Sequence, residues 1–486
     1  MSTALMAATP NNNKREREWT FGNQSNSMGA GPSKKPKLNP PINVNDPSND
    51  QQVLPNTPTI NVNDPSTDQQ VLPNTPPTPN LPPEIAVQIV KNLPKNERFN
   101  AAHTLIKRGK TETMSEHVNV LSSDYDRTTA YFNETTRDFL QNNYGVVNES
   151  ITSLVFKIIP NATELQKLSE KFPNLTTLTL DHIKLLAPAA KILAGNLKHF
   201  PNLTTLTLSY NEMRPASVKA IAEALPHLTN LTALNLCNNS YTGAQGVTYL
   251  AGALTHLRNL TTLNLGSNKI GAEGINVLAG VLPQLTNLTT LDLRSNDIGA
   301  QGINVLAGVL PQLTKLTTLD LGNDHIGAQG INALAGVLPK LTNLTTLNLW
   351  NTYIGTEGAT YLAGVLPQLT NLRTLNLESN KIGAHGINVL AGVLPQLTNL
   401  TTLNLWNTYI GTEGATYLAG VLPQLTNLTT LNLGANDIGA QGIKNALAGV
   451  LPQLTNLTTL NLGWNKIDNN VRELIRQQLP HVKISY

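Results

Sequence analysis

Leu285–Gln312 reads LTNLTTLDLRSNDIGAQGINVLAGVLPQ, and the same 28 residues return with small changes before and after it. Leu291 and Leu293 alternate with polar neighbours, so both turn to one face of a short strand. Asn296 follows the strand, where its amide can satisfy backbone groups of a turn. Gly299 and Gly302 permit a tight entry into a helix. Ile303, Leu306, Ala307 and Leu310 stand at i, i+3, i+4 and i+7 and make its apolar stripe, and Pro311 ends it. One unit buries about eight apolar side chains, roughly 12–24 kcal/mol gross. Ordering its 28 residues costs at least as much. A lone unit stays unfolded, and stability must come from stacking.

The central strand leucines are Leu178, Leu206, Leu234, Leu263, Leu291, Leu319, Leu347, Leu375, Leu403, Leu431 and Leu460. Their spacing is 28 residues except for two steps of 29. One extra residue falls in the loop near Asn238–Thr242, the other in the helix near Lys444–Ala446. Leu288, Leu291, Leu293, Asn296 and Ile298 fit the pattern L-x-x-L-x-L-x-x-N-x-I/L. At this length the chain from Asn174 to Tyr486 resembles the ribonuclease-inhibitor type of leucine-rich repeat. The resemblance implies a strand and a full helix per repeat. The expected fold is a right-handed α/β horseshoe solenoid, with a cap at 151–173 and a solenoid at 174–486. In the cap, Asn161 and Glu164 make a capping-box pattern ahead of Leu165, Leu168 and Phe172. Val471, Leu474, Ile475 and Leu479, then Val482 and Ile484, read as a closing helix and strand.

Residues 1–80 are rich in Asn, Pro, Ser and Thr and read as a disordered arm. The arm contains a tandem repeat, Pro41–Pro58 and Thr59–Pro76, readable as a spacer or as a doubled docking motif. Lys34-Lys35-Pro36-Lys37 resembles a short nuclear-import signal, although such clusters also arise by chance in disordered chain. Residues 81–150 read as a small helical module. Pro82 and Pro83 open a helix with Ile85, Ile89 and Leu93 on one face, and Pro94 stops it. Further helices are expected near 97–108, 114–121 and 127–140. Leu81-Pro82-Pro83-Glu84-Ile85 with Ile89, Leu93 and Pro94 resembles the opening of an F-box. Many F-boxes carry a late tryptophan, and none lies between 81 and 173. The alternative is a helical cap with its own core. The F-box resemblance implies that Leu81, Pro82, Ile85, Ile89, Leu93 and Pro94 dock a Skp-type adaptor of a cullin ubiquitin ligase.

The composition excludes several other classes. The chain has 486 residues, 13% of them charged, and a formal charge of +3, too small to imply nucleic acid. Residues 1–40 carry six Lys and Arg against two Glu, whereas 41–80 carry only four Asp. Cys237 is the single cysteine, which fits a reducing compartment and rules out an internal disulfide. No apolar run reaches membrane-spanning length, and no signal peptide of the usual kind is expected at the N-terminus. Asn-Leu-Thr recurs as a glycosylation sequon, read here as a repeat residue. The nine histidines show no metal-ligand spacing, so neither metal, cofactor nor catalysis is expected.

Ran GTPase-activating proteins share this repeat type, and Arg214 is the one residue comparable to a loop residue they supply to a GTPase. The outward strand positions are mostly small and neutral. The exceptions are Asp292, Arg294, Asp320, Trp350, Glu378 and Trp406, with Tyr353 and Tyr409 three residues beyond each tryptophan. Exposed aromatics beside charge are typical anchors for a protein partner. Asn343–Leu372 and Asn399–Leu428 are identical, so the two tryptophans can also be read as copies of one duplicated unit. The expected function is substrate recognition for a ubiquitin ligase, in the cytoplasm or nucleus of a eukaryote or, for a bacterial effector, of its host. The competing class is a scaffold or ligand-sensing solenoid.

Overall fold

A computed structural model of the chain describes residues 129–132, 151–240 and 242–486. The chain divides into two units, Met1–Pro77 and Thr78–Tyr486, and every described residue belongs to the second. The expected disordered arm and the F-box-like residues Leu81 to Pro94 lie outside the described residues.

The described residues form one sheet of fourteen parallel strands in sequence order, β1 (Thr129–Phe132) to β14 (Lys483–Ser485). Between strands the chain crosses over through helices such as Gly299–Val309, so the sheet is open and each strand pairs with its sequence neighbours. The register is strict. Thr290, Leu291 and Asp292 of β7 (Thr290–Asp292) face Thr318, Leu319 and Asp320 of β8 (Thr318–Asp320). The central leucines therefore form one continuous row, and all eleven are fully buried. Ile303, Leu306, Ala307 and Leu310 close the core from the helical side. Pro311 sits in a short 3-10 turn, Leu310–Gln312, that ends the helix as expected.

Three hydrogen-bonded ladders tie repeat to repeat. In the first, the buried strand-exit asparagines span two units. Asn380 Nδ2 donates to Leu349 O in the preceding repeat and to Leu377 O in its own, at 2.6 and 3.0 Å. Its Oδ1 accepts from the N–H groups of Thr352 and Ile354. In the second, threonine hydroxyls at strand entry donate backwards, as Thr317 Oγ1 does to Thr289 O at 3.0 Å. The third uses the asparagines of the sequons. Asn202 donates to Pro173 O and Asn343 to Thr314 O, at 3.2 and 2.8 Å. Their amides are engaged in stacking, as the repeat reading requires.

The strand-exit turn is built from left-handed residues. Ser295 and Asp297 have φ of 57° and 56°, followed by Gly299 at 62°. Gly302 is needed for closeness: a Cβ there would lie 2.5 Å from Ile298 Cγ2 and 3.2 Å from Ala272 Cα of the preceding repeat.

The two one-residue insertions are absorbed differently. Near Lys444 the helix Gly439–Gly442 widens into a π-turn over Ile443–Leu447, and Ala448 N bonds to Ile443 O at 2.8 Å. One extra residue is what an i→i+5 turn accommodates. The other insertion stays in the loop before Gly243–Leu254.

The N-terminal edge requires a correction. The helix expected at 127–140 is not formed at Thr129–Phe132, which is strand β1, paired in parallel with β2 (Ser153–Phe156). Phe132 is buried against Phe156 with ring centroids 5.2 Å apart. The β-branched and aromatic residues at 129, 131 and 132 fit a pleated edge, and this long-range pairing outweighs the local helical pattern. The capping box forms as read: Glu164 N donates to Asn161 Oδ1 at 2.9 Å and Asn161 N to Glu164 Oε2 at 2.7 Å. The closing helix is Asn469–Gln478, and Ile484 lies in β14.

Candidate partner-binding face

Along each strand the residues beside the buried leucines point to the concave side. The strands Thr346–Asn348, Thr374–Asn376 and Thr402–Asn404 are consecutive in the sheet and share this orientation. Trp350, Glu378 and Trp406 therefore stand in one column, half-buried. Tyr353 and Tyr409 lie on the strand-exit rim and are about half exposed, at 46% and 54%. Both have φ near 60°, a conformation unfavourable for a bulky residue.

The charged residues of the face do not all remain available. Asp292 and Asp320 are buried, at 7% and 8% exposure. They lie directly opposite each other in the sheet, and Arg294 spans them, with Nη1 3.5 Å from Asp292 Oδ2 and 3.6 Å from Asp320 Oδ2. Asp320 also accepts from Gly322 N and from Asn348 Nδ2. Burial, reinforced by Asp320, pushes the Asp292 carboxyl up to about 6, against the opposing pull of Arg294. Burial likewise raises Asp320. This trio is an ion-pair knot, and of the predicted site residues Trp350, Tyr353, Glu378, Trp406 and Tyr409 lie outside it.

The identical tryptophan repeats place their side chains differently. A Cβ on Gly322, one repeat before Trp350, would lie 2.0 Å from that indole. A Cβ on Gly434, one repeat after Trp406, would lie 2.7 Å from the second indole. Each indole fills the space left by a glycine, and the two lean away from Glu378 in opposite directions. The turns beside them keep the left-handed geometry of the other repeats although Thr352 and Thr408 replace the asparagine there. Asn351 and Tyr353 keep φ of 50° and 60°. Thr352 Oγ1 takes over one asparagine bond, to Leu349 O at 2.8 Å.

Two aromatic positions escaped the sequence reading. Trp464 is 85% exposed and Tyr210 is 46% exposed, both in the column directly before the ladder residue. Four of the exposed large side chains, Tyr210, Tyr353, Tyr409 and Trp464, thus line the strand-exit rim. The signal was present in the aromatic immediately preceding Asn211 and Asn465. Arg214 is exposed and occupies the N-cap position of the helix Pro215–Ala224. Cys237 is buried on the concave column, where burial raises its thiol pKa, so it is a poor nucleophile. Among the described residues no cluster of His, Cys, Asp and Glu could hold a metal ion, and no helix is long and apolar enough to cross a membrane.

A stack of strand–turn–helix units on a parallel sheet, joined by an asparagine ladder, defines a repeat solenoid. The Leucine Rich repeat family matches residues 200–222, 256–279, 284–307, 340–363, 368–391, 396–419, 424–445 and 453–470, so these segments are leucine-rich repeats. No curated protein sequence matches it. Among solved structures, a chain of the yeast Rad7–Elc1 complex is similar at 19% identity with a TM-score of 0.50, over 82% of this chain and 93% of that one. A leucine-rich-repeat protein of Leptospira interrogans is 22% identical with a TM-score of 0.42, over 74% of this chain and 100% of its own. An internalin of Listeria monocytogenes is 24% identical with a TM-score of 0.44, over 72% and 92%.

Proposed function

We propose that this protein is a non-catalytic recognition subunit of a cullin-type ubiquitin ligase, built on ribonuclease-inhibitor-type repeats. In this reading the concave face holds a protein substrate, and Leu81, Pro82, Ile85, Ile89, Leu93 and Pro94 dock a Skp-type adaptor. The observation that carries the substrate half is the half-exposed column Trp350–Glu378–Trp406 with Tyr353 and Tyr409 beside it. Large aromatics bury area at low entropic cost and dominate interfaces. The adaptor half is supported by the F-box-like sequence ahead of the repeats. The yeast complex adds that a chain of similar fold occurs in an assembly of two proteins. Such a subunit would act in the cytoplasm or nucleus, with no role for nucleic acid, membrane, metal or cofactor. The absence of a tryptophan between 81 and 173 favours the second reading, a scaffold that uses the same concave face without an adaptor.

Two experiments separate these readings. Replacing Leu81 and Pro82 with alanine is expected to abolish co-purification of a co-expressed Skp-type adaptor while leaving the melting curve of the repeats in place. Failure of the unaltered chain to capture the adaptor leaves the scaffold reading. Replacing Trp350 and Trp406 together with alanine is expected to weaken a purified substrate, first captured on the full chain, by roughly 2–4 kcal/mol. Thermal stability should hardly change, because neither indole enters the leucine core. Unchanged affinity would move the partner to another surface.

A further inference from the structure

The column between the two indoles differs chemically from the rest of the face. Asp292 and Asp320 share Arg294, whereas Glu378 has no cation among the described residues. Its Oε2 accepts only from Asn404 Nδ2, at 2.8 Å. Asp292, Arg294 and Asp320 are held to one another, and Glu378 adds a separate negative charge that no cation among the described residues shares. The strands that lead into Trp350 and Trp406 are two ladder steps apart, about 9.5 Å at the usual strand spacing. Because the indoles lean outward over Gly322 and Gly434, the space above Glu378 is left open. Among the described residues neither indole N–H has a protein acceptor.

We propose that this space receives an arginine side chain of the partner, its guanidinium on the Glu378 carboxylate between Trp350 and Trp406. The proposal rests on the reading of the concave face as the partner surface. The chemistry selects among occupants. An apolar side chain would strip water from Glu378 without pairing it, and an anion would be repelled. A guanidinium offers two parallel donors to a carboxylate and stacks on aromatic rings. A lysine ammonium is a more strongly hydrated point charge and offers no planar fork.

The test uses the full chain and a defined probe, an acetylated and amidated Gly-Arg-Gly peptide, beside its lysine and citrulline counterparts. The four tryptophans, Trp19, Trp350, Trp406 and Trp464, give four indole N–H resonances, assigned by single Trp→Phe variants. The Trp350 and Trp406 signals are expected to shift together and saturably with the arginine peptide, while Trp19 and Trp464 stay still. The citrulline peptide should bind about tenfold more weakly, the lysine peptide several-fold more weakly, and Glu378→Gln should bring arginine to the citrulline level. Equal response to arginine and citrulline or lysine, an unaffected Glu378→Gln chain, or no shift at the peptide's solubility limit would overturn the proposal. The two readings fail separately. If the captured substrate is lost in the double tryptophan variant but retained in Glu378→Gln, the concave-face reading stands and the arginine assignment falls. If the double tryptophan variant keeps that substrate, the concave-face reading itself is gone.

Discussion

Leu319→Asp is expected to unfold its own repeat and loosen both neighbours, with a loss above about 4 kcal/mol. Leu319 is fully buried in β8, and the strand pairs with Thr290–Asp292 on one side and Thr346–Asn348 on the other. A carboxylate at this point meets only Leu291, Leu347 and their neighbours in the core row. In a stack where each unit is held by the next, such a break splits the solenoid into shorter segments. Circular dichroism should show a broader transition at markedly lower temperature. Thr318→Asp is the control, since Thr318 faces the concave side and is half-buried. That change should stay within about 1 kcal/mol. An unaltered melt for Leu319→Asp, or equal damage from both variants, would show that the strand faces are exchanged.

Asp324 is expected to make the stability of this solenoid fall as pH rises. It stands in the buried asparagine ladder, where Asn296 and Asn380 occupy the equivalent positions. Its Oδ1 does what an asparagine oxygen does, accepting from Asn296 N and Ile298 N. Its Oδ2 replaces the amide nitrogen, which in Asn296 donates to Leu265 O and Leu293 O. Oδ2 has no hydrogen-bond partner, and a carboxyl oxygen can face such carbonyls favourably only when it carries a proton. Burial, joined by Asp297 and Asp320, pushes the group up to about 8, against the bonds from Asn296 and Ile298. The folded state therefore holds a proton that the unfolded chain releases near pH 3.9. The stabilising contribution is complete below that pH and is lost as pH rises through about 8. At pH 7 the loss reaches about 4 kcal/mol, at roughly 1.4 kcal/mol per unit. Asp324→Asn restores the ladder donor without a titrating group. Its melting temperature should exceed that of the parent at pH 7 and match it near pH 4. A constant difference across that range would mean that Asp324 is not protonated in the folded chain.

The sequence determined the repeat. Its period places Leu291 and Leu319 in one row because a residue repeat of fixed length returns each side chain to the same face of the next strand. The helical stripe from Ile303 to Leu310 followed from spacing alone, and so did the location of the second insertion near Lys444. The form of that insertion, a π-turn, was not legible, because a loop and a widened helix use the same extra residue. Strand β1 was not legible either: four residues carry little periodicity, and only Ser153–Phe156 beside them makes a strand.

For the candidate site, the sequence named the column but not its state. It identified Trp350, Glu378 and Trp406 as outward-facing, and their strand positions agree. Tertiary structure alone decided that Asp292, Arg294 and Asp320 pair with one another, because that depends on which carboxylates the register brings face to face. It alone turned two identical repeats into two different surroundings, since each tryptophan leans over whichever neighbouring repeat carries a glycine. A repeat sequence fixes what each unit contains; what a side chain meets is fixed by the unit beside it, and that arrangement exists only once the strands are stacked.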